Sequence, residues 1–232
     1  MNFFGHAAIA GRFSPSPAFA LGAMLPDLAA MIGARPPSSV DDDVSRGVEL
    51  HHATDAAFHD LAAFRELVAG AERELRARGL SRGSARAAAH VGVELLLDGE
   101  LAGERGSRDL YLRAVRAGGL LRAGRLLAWR PEAARLRFEA LRLAMLARGV
   151  RREHSTAPVI ARRVGIALEG RSRLALASGD ELHVSEWAAA AAPRVRSAAP
   201  GIVASVLGAL RGGGTNGGST GGGGAPADRD EP

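Results

Sequence analysis

A single line of polar residues runs through an otherwise apolar stretch near the middle of this chain: His90, Glu94 and Asp98 recur at i, i+4 and i+8. Val91, Val93, Leu95, Leu96, Leu97 and Leu101 surround them, so the stretch reads as a largely buried helix. Helical periodicity stacks the three polar groups on one side, and a fold that buries the helix must bury them too. An unpaired buried carboxylate costs several kcal/mol and needs a counter-charge. No arginine lies in the line. A divalent cation held by imidazole nitrogen and carboxylate oxygen fits the set.

A second segment repeats the pattern. Asp41, Asp42 and Asp43 supply a cap and negative charge for a helix running to about His59. Val44, Val48, His51, Asp55 and Phe58 have the spacing of a core-facing stripe, and His52, Asp55 and His59 share that side at i, i+3 and i+7. Ionisable groups therefore stand where core residues belong. His6 and Asp27 lie upstream on two further helices, while His154 and His183 read as surface residues.

The remaining punctuation is helical as well. Helices are expected at 2–10, from Ser16 or Pro17 to Gly33 with a kink at Pro26, at 61–78, and from Ser81 or Ser84 to Ala102. Others follow at about 107–117, 119–129, 131–149, 155–169, 181–194 and 201–210, with 35–39 as a loop. Alanine and leucine are abundant, aromatics make up 4%, and no β-branched run alternates, all of which favours an all-α fold. Residues 1–210 read as one helical domain and 211–232 as a disordered Gly-rich tail.

Composition narrows the chemistry. All 30 basic residues are arginine, yet 25 acidic ones hold the net charge to +5, a weak basis for binding nucleic acid. With no cysteine, thiolate catalysis, disulfides and thiolate metal sites are excluded. The start lacks a basic signal-peptide region, and Ala18–Ile32 is too short and carries Asp27, so a cytoplasmic protein without a membrane span is expected.

Met1-Asn2-Phe3-x-x-His6, Leu21-Gly22-x-x-Leu25-x-Asp27, Gly47-Val48-x-Leu50-His51-x-x-x-Asp55 and the Glu94…Asp98 pair resemble, in order and spacing, the acyl-carrier-protein phosphodiesterases over residues 1–102. That family looks like a divergent branch of the histidine–aspartate (HD) metal-dependent phosphohydrolases. The resemblance implies an HD-domain-like helical bundle, a divalent ion (Mn2+ favoured, with Fe2+, Mg2+ or Zn2+ as alternatives), and release of 4′-phosphopantetheine from holo-acyl carrier protein. His6, Asp27, His51, Asp55 and Asp98 fall on motif positions. The departures are His59 and Glu94 where the family has aspartate, Gly99 where it has histidine, and His52-Ala53 where it has paired arginines.

The expected metal ligands are thus His6, Asp27, His51, Asp55, His59 and Asp98. Asp27, Asp55 and Glu94 take catalytic roles, and His52, His90 and Glu94 orient the ligands from behind. Arg46 or Arg86 is a candidate phosphate grip. The substrate is expected to be acyl carrier protein or a small phosphoester. Two alternatives stand beside this: a non-catalytic, metal-stabilised helical scaffold, motivated by Gly99, and a phospholipase-like hydrolase at a membrane surface, motivated by Phe3, Phe4 and the apolar second helix.

Overall fold

The computed structural model describes residues 1–119, 127–150 and 155–212. They form an all-α protein of nine helices with one two-stranded contact. The helices are α1 (Phe3–Ala10), α2 (Pro17–Met31), α3 (Asp42–Asp60), α4 (Ala62–Ala77), α5 (Arg82–Leu101), α6 (Arg105–Ala117), α7 (Glu132–Arg148), α8 (Ala157–Leu168) and α9 (Asp180–Gly212). Local chemistry starts them. Ser16 accepts from the Phe19 N–H with Pro17 in the first turn of α2, Asp41 accepts from Val44 N–H, and Ser81 accepts from Ser84 N–H.

Two apolar clusters meet at the middle of the molecule. One joins α1, α2, α3, α6 and α7 around Leu21, Met24, Leu25, Tyr111 and Phe138. The other joins α4, α5, α8 and α9 around Leu75, Val93, Ile160, Trp187 and Ile202, and takes in Ile9 and Phe58. The helices that carry the histidines and carboxylates, α1, α2, α3 and α5, lie along the seam.

The α2–α3 crossing sets the geometry of that seam. A Cβ on Gly22 would stand 2.1 Å from Val44 O, and one on Gly47 would stand 2.2 Å from Phe19 O. Backbone therefore touches backbone, which only glycine allows on both sides. The approach is close enough for the His51 ring of α3 to reach the Ala23 carbonyl of α2.

Three sequence expectations are corrected. Leu127–Ala128, assigned to a helix at 119–129, pairs as a strand (β2) with Ser38–Ser39 (β1), antiparallel, where a plain loop was expected. Residues 120–126 of that helix lie outside the described residues. The helices expected at 181–194 and 201–210 are one, α9, which continues through Pro193 and Pro200. Each proline removes one N–H from the ladder. The buried stripe of Val184, Trp187, Val195, Ile202 and Val206 holds the flanking turns against α5 and α8. Arg211 and Gly212, assigned to the tail, close this helix, and the rest of the expected disordered tail lies outside the described residues. Among the described residues no helix is long and apolar enough to cross a membrane.

Gly47→Ala is expected to cost about 1–3 kcal/mol, the usual penalty of overpacking a tight contact. Urea unfolding followed by circular dichroism measures it. Wild-type stability in the variant would contradict the role given to this crossing.

Candidate metal centre

His6 is 1% exposed on α1 and lies against His51, with the two rings stacked at 4.0 Å between centroids. His51 hydrogen-bonds Ala23 O through Nδ1 at 2.9 Å. A carbonyl only accepts, so Nδ1 carries the proton and Nε2 presents its lone pair to the seam. Asp27, from the fourth turn of α2, completes a group whose ligand atoms with His6 and His51 all lie within 4.8 Å of one another.

Asp55 stands beside this group. Its Oδ1 is 3.1 Å from His6 Nε2 and its Oδ2 is 3.5 Å from His51 Nε2. A second group of ligand atoms within 4.8 Å of one another joins His59 of α3 to His90 and Glu94 of α5. Both Nε2 atoms approach Glu94 Oε1, at 3.3 Å from His59 and 3.2 Å from His90. The Met1 α-amine lies between the two groups, 3.2 Å from Asp55 Oδ1 and 3.0 Å from Glu94 Oε1.

Burial sorts the protonation states. It lowers the pKa of His6, and it lowers that of His51 to about 4, so both rings are neutral near pH 7. Burial also acts to raise Asp55 and Glu94, but hydrogen bonds from neighbouring imidazoles and the nearby Met1 ammonium prevail. His6 and the Met1 amine hold Asp55 well below the usual carboxylate range, and His59 and His90 do the same for Glu94. Asp27 has no such neighbour within hydrogen-bond reach, and burial pushes it up to about 7.

The residues present fit a divalent cation. Asp27 Oδ2 is buried without a hydrogen bond among the described residues, and the buried His6 Nε2 faces carboxylate oxygens, Asp55 Oδ1 at 3.1 Å and Asp27 Oδ2 at 4.0 Å. Two neutral imidazoles, one with its tautomer fixed by a backbone carbonyl, and adjacent carboxylates are the donor set of an N/O metal site.

His90 and Glu94, expected to orient ligands from behind, stand among the candidate ligand atoms themselves, and three further assignments change. Asp98 is not gathered with the other donors: its Oδ1 accepts the Gly5 N–H at 3.0 Å, which ties α5 to the first turn of α1. Steps of four residues advance by about 400°, so i to i+8 drifts roughly 80° around the helix, and Asp98 lies a turn beyond Glu94 against α1, its Oδ2 buried without a hydrogen bond among the described residues. His52 is exposed, and only the edge of its ring reaches His51, at 5.3 Å between centroids. It orients no ligand. Arg46 pairs with Asp43 and lies over the Phe19 ring, away from the donors.

Arg163 on α8 is an electrostatic neighbour of Asp98 that sequence reasoning missed. Its guanidinium acts electrostatically on Asp98, which burial still pushes up to about 7, and on Tyr111. Burial lowers the pKa of Arg163 itself. Its position three residues after the buried Ile160 and next to Val164 was the available signal. Gly99 also has a packing reason, since a Cβ there would stand 2.6 Å from Ser155 Cβ. A histidine does not fit in that space.

Comparisons with protein-family models, curated proteins and solved structures found no match to this chain.

Asp27 carries a stability prediction. Its folded pKa of about 7 lies above the ordinary aspartate value of 3.8, so stability fully present below pH 3.8 is lost as pH rises through 7 in metal-free protein. Asp27→Asn removes that loss and should make the metal-free protein more stable than wild type by on the order of 1–2 kcal/mol at pH 7.5. The gap should shrink toward pH 4. Urea unfolding at both pH values reads it, and a variant less stable than wild type at pH 7.5 would contradict the assignment.

Proposed function

We propose that this protein is a metal-dependent phosphoester hydrolase with a two-ion centre. His6, Asp27, His51 and Asp55 would hold one divalent ion, and His59, His90 and Glu94 the other. The observation that carries this reading is the convergence of buried ligand atoms, His6 Nε2 and Asp27 Oδ2 at 4.0 Å from each other, on the His51 ring that Ala23 O holds with Nε2 toward them. Bound divalent ions supply Lewis-acid polarisation of a phosphoryl oxygen and acidify a nearby water.

The protein's own groups support such chemistry. Asp55 and Glu94 stay ionised across the physiological range and keep negative charge on either side of the seam. The Met1 ammonium between them marks a point at which positive charge is stabilised. Ala23 O keeps the His51 ring in one orientation, and the Asp98–Gly5 bond fixes the helix that carries His6. The resemblance of residues 1–102 to the acyl-carrier-protein phosphodiesterases implies Mn2+ and, as substrate, the phosphopantetheinyl ester of acyl carrier protein. The arginine-rich surface suits an acidic carrier. A KM for holo-acyl carrier protein that does not rise with salt would exclude that substrate.

One observation favours a second reading. The Met1 amine already offsets the charge of Asp55 and Glu94 without an ion, as in a helical scaffold that uses metal for stability or not at all. Turnover separates the two.

With Mn2+ the purified protein is expected to hydrolyse bis-p-nitrophenyl phosphate, and Asp55→Ala or His51→Ala should lower kcat/KM on the order of 100-fold. A rise in Tm on adding Mn2+ with no turnover of any phosphoester would favour the scaffold. No response to Mn2+, Fe2+, Mg2+ or Zn2+ in either assay would overturn the metal reading altogether.

A further inference from the structure

The second donor group opens onto a groove of about 920 Å³ between α4, α5 and the loop that follows α8. His59 and His90 stand at one end of its lining. Four arginines border it: Arg65 on α4, Arg82 and Arg86 on α5, and Arg171 on the loop. Glu72 is the one carboxylate among the described lining residues, and none of the four arginines forms an ion pair within the described part of the chain. All four are exposed, whereas Phe64, Val68, Val91 and Leu168 give the floor an apolar character.

Spacing along α5 gives the groove a direction. His90, Arg86 and Arg82 lie at successive steps of four residues, so the arginines sit roughly 6 and 12 Å from the histidine along the helix axis. Arg65 is near the histidine end, because the neighbouring Phe64 ring packs edge-on against His90 at 5.5 Å. Arg171 comes from the loop side. Unpaired guanidiniums over an apolar floor suit a ligand with a distal anion on an apolar linker, since arginine binds phosphate and carboxylate through paired N–H donors.

Resting on the hydrolase reading above, we propose that the substrate is a phosphoester carrying a second anionic group. The reacting phosphate lies by His59 and His90, an apolar linker runs along Val68 and Ala87, and the far anion lies between Arg82 and Arg171. Arg86 and Arg65 stand along the way. This narrows the substrate class to two-anion molecules and disfavours simple monoanionic esters.

Calorimetric titration of the full chain with hexane-1,6-diyl bisphosphate and with hexyl phosphate tests this, in metal-free and Mn2+-loaded protein. The bisphosphate is expected to bind about tenfold more tightly at low salt. Arg82→Ala/Arg171→Ala should bring it down to the affinity of hexyl phosphate, with the circular dichroism spectrum unchanged. Equal affinities in wild type, no binding of either compound, or a preference that survives the double substitution would overturn the proposal. No turnover is read, so a protein that keeps the preference but hydrolyses nothing counts against the hydrolase reading alone.

Discussion

Burying ionisable groups is expensive, and the buried His6 of α1 and His51 of α3 converge here with five partly buried groups: Asp27 of α2, Asp55 and His59 of α3, and His90 and Glu94 of α5. The fold is arranged so that this cost is offset in pairs. Burial keeps the His6 and His51 rings neutral, hydrogen bonds from imidazoles and the Met1 ammonium keep Asp55 and Glu94 ionised, and burial pushes the Asp27 carboxyl up to about 7. Asymmetry of this kind is costly in a core and useful in a cation site. It depends in turn on the glycine contact of α2 with α3, without which His51 could not reach Ala23 O.

The site sits where two apolar clusters meet, and each cluster contributes one face. The cluster around Leu21 and Met24 holds α1 and α2, so it positions His6 and Asp27. The cluster around Val93 and Trp187 holds α5, so it positions His90 and Glu94. Gly92 marks how tightly that second cluster is packed, since a Cβ there would lie 2.5 Å from the Trp187 ring. The long helix α9, which supplies Trp187, thus supports the centre without entering it. The groove with its arginines belongs to the same half, so its lining and the second donor group share α5.

Much of this was legible in the residues because polar groups broke an apolar period. His51 and Asp55 on α3, and His90 and Glu94 on α5, stand where the pattern calls for core, and the structure brings both pairs to the seam. Periodicity alone could not tell which neighbour each would meet. Asp98 continued the line in sequence, but helical drift turned it to the backbone of α1. His52 shared a spacing with Asp55 yet faces solvent. The roles of Arg163, α9 and the β1–β2 contact depend on elements distant in sequence, and no local pattern encodes such contacts. Proline positions misled for a similar reason: a break is the local expectation at Pro193 and Pro200, and tertiary packing overrides it.

The central claim is that the seam holds divalent ions between α1, α2, α3 and α5. Anomalous diffraction from crystals grown with Mn2+ tests it most directly. The account predicts one peak among His6, Asp27 and His51 and another among His59, His90 and Glu94. Crystals with no anomalous density at either place, and the Met1 amine still between Asp55 and Glu94, would contradict it.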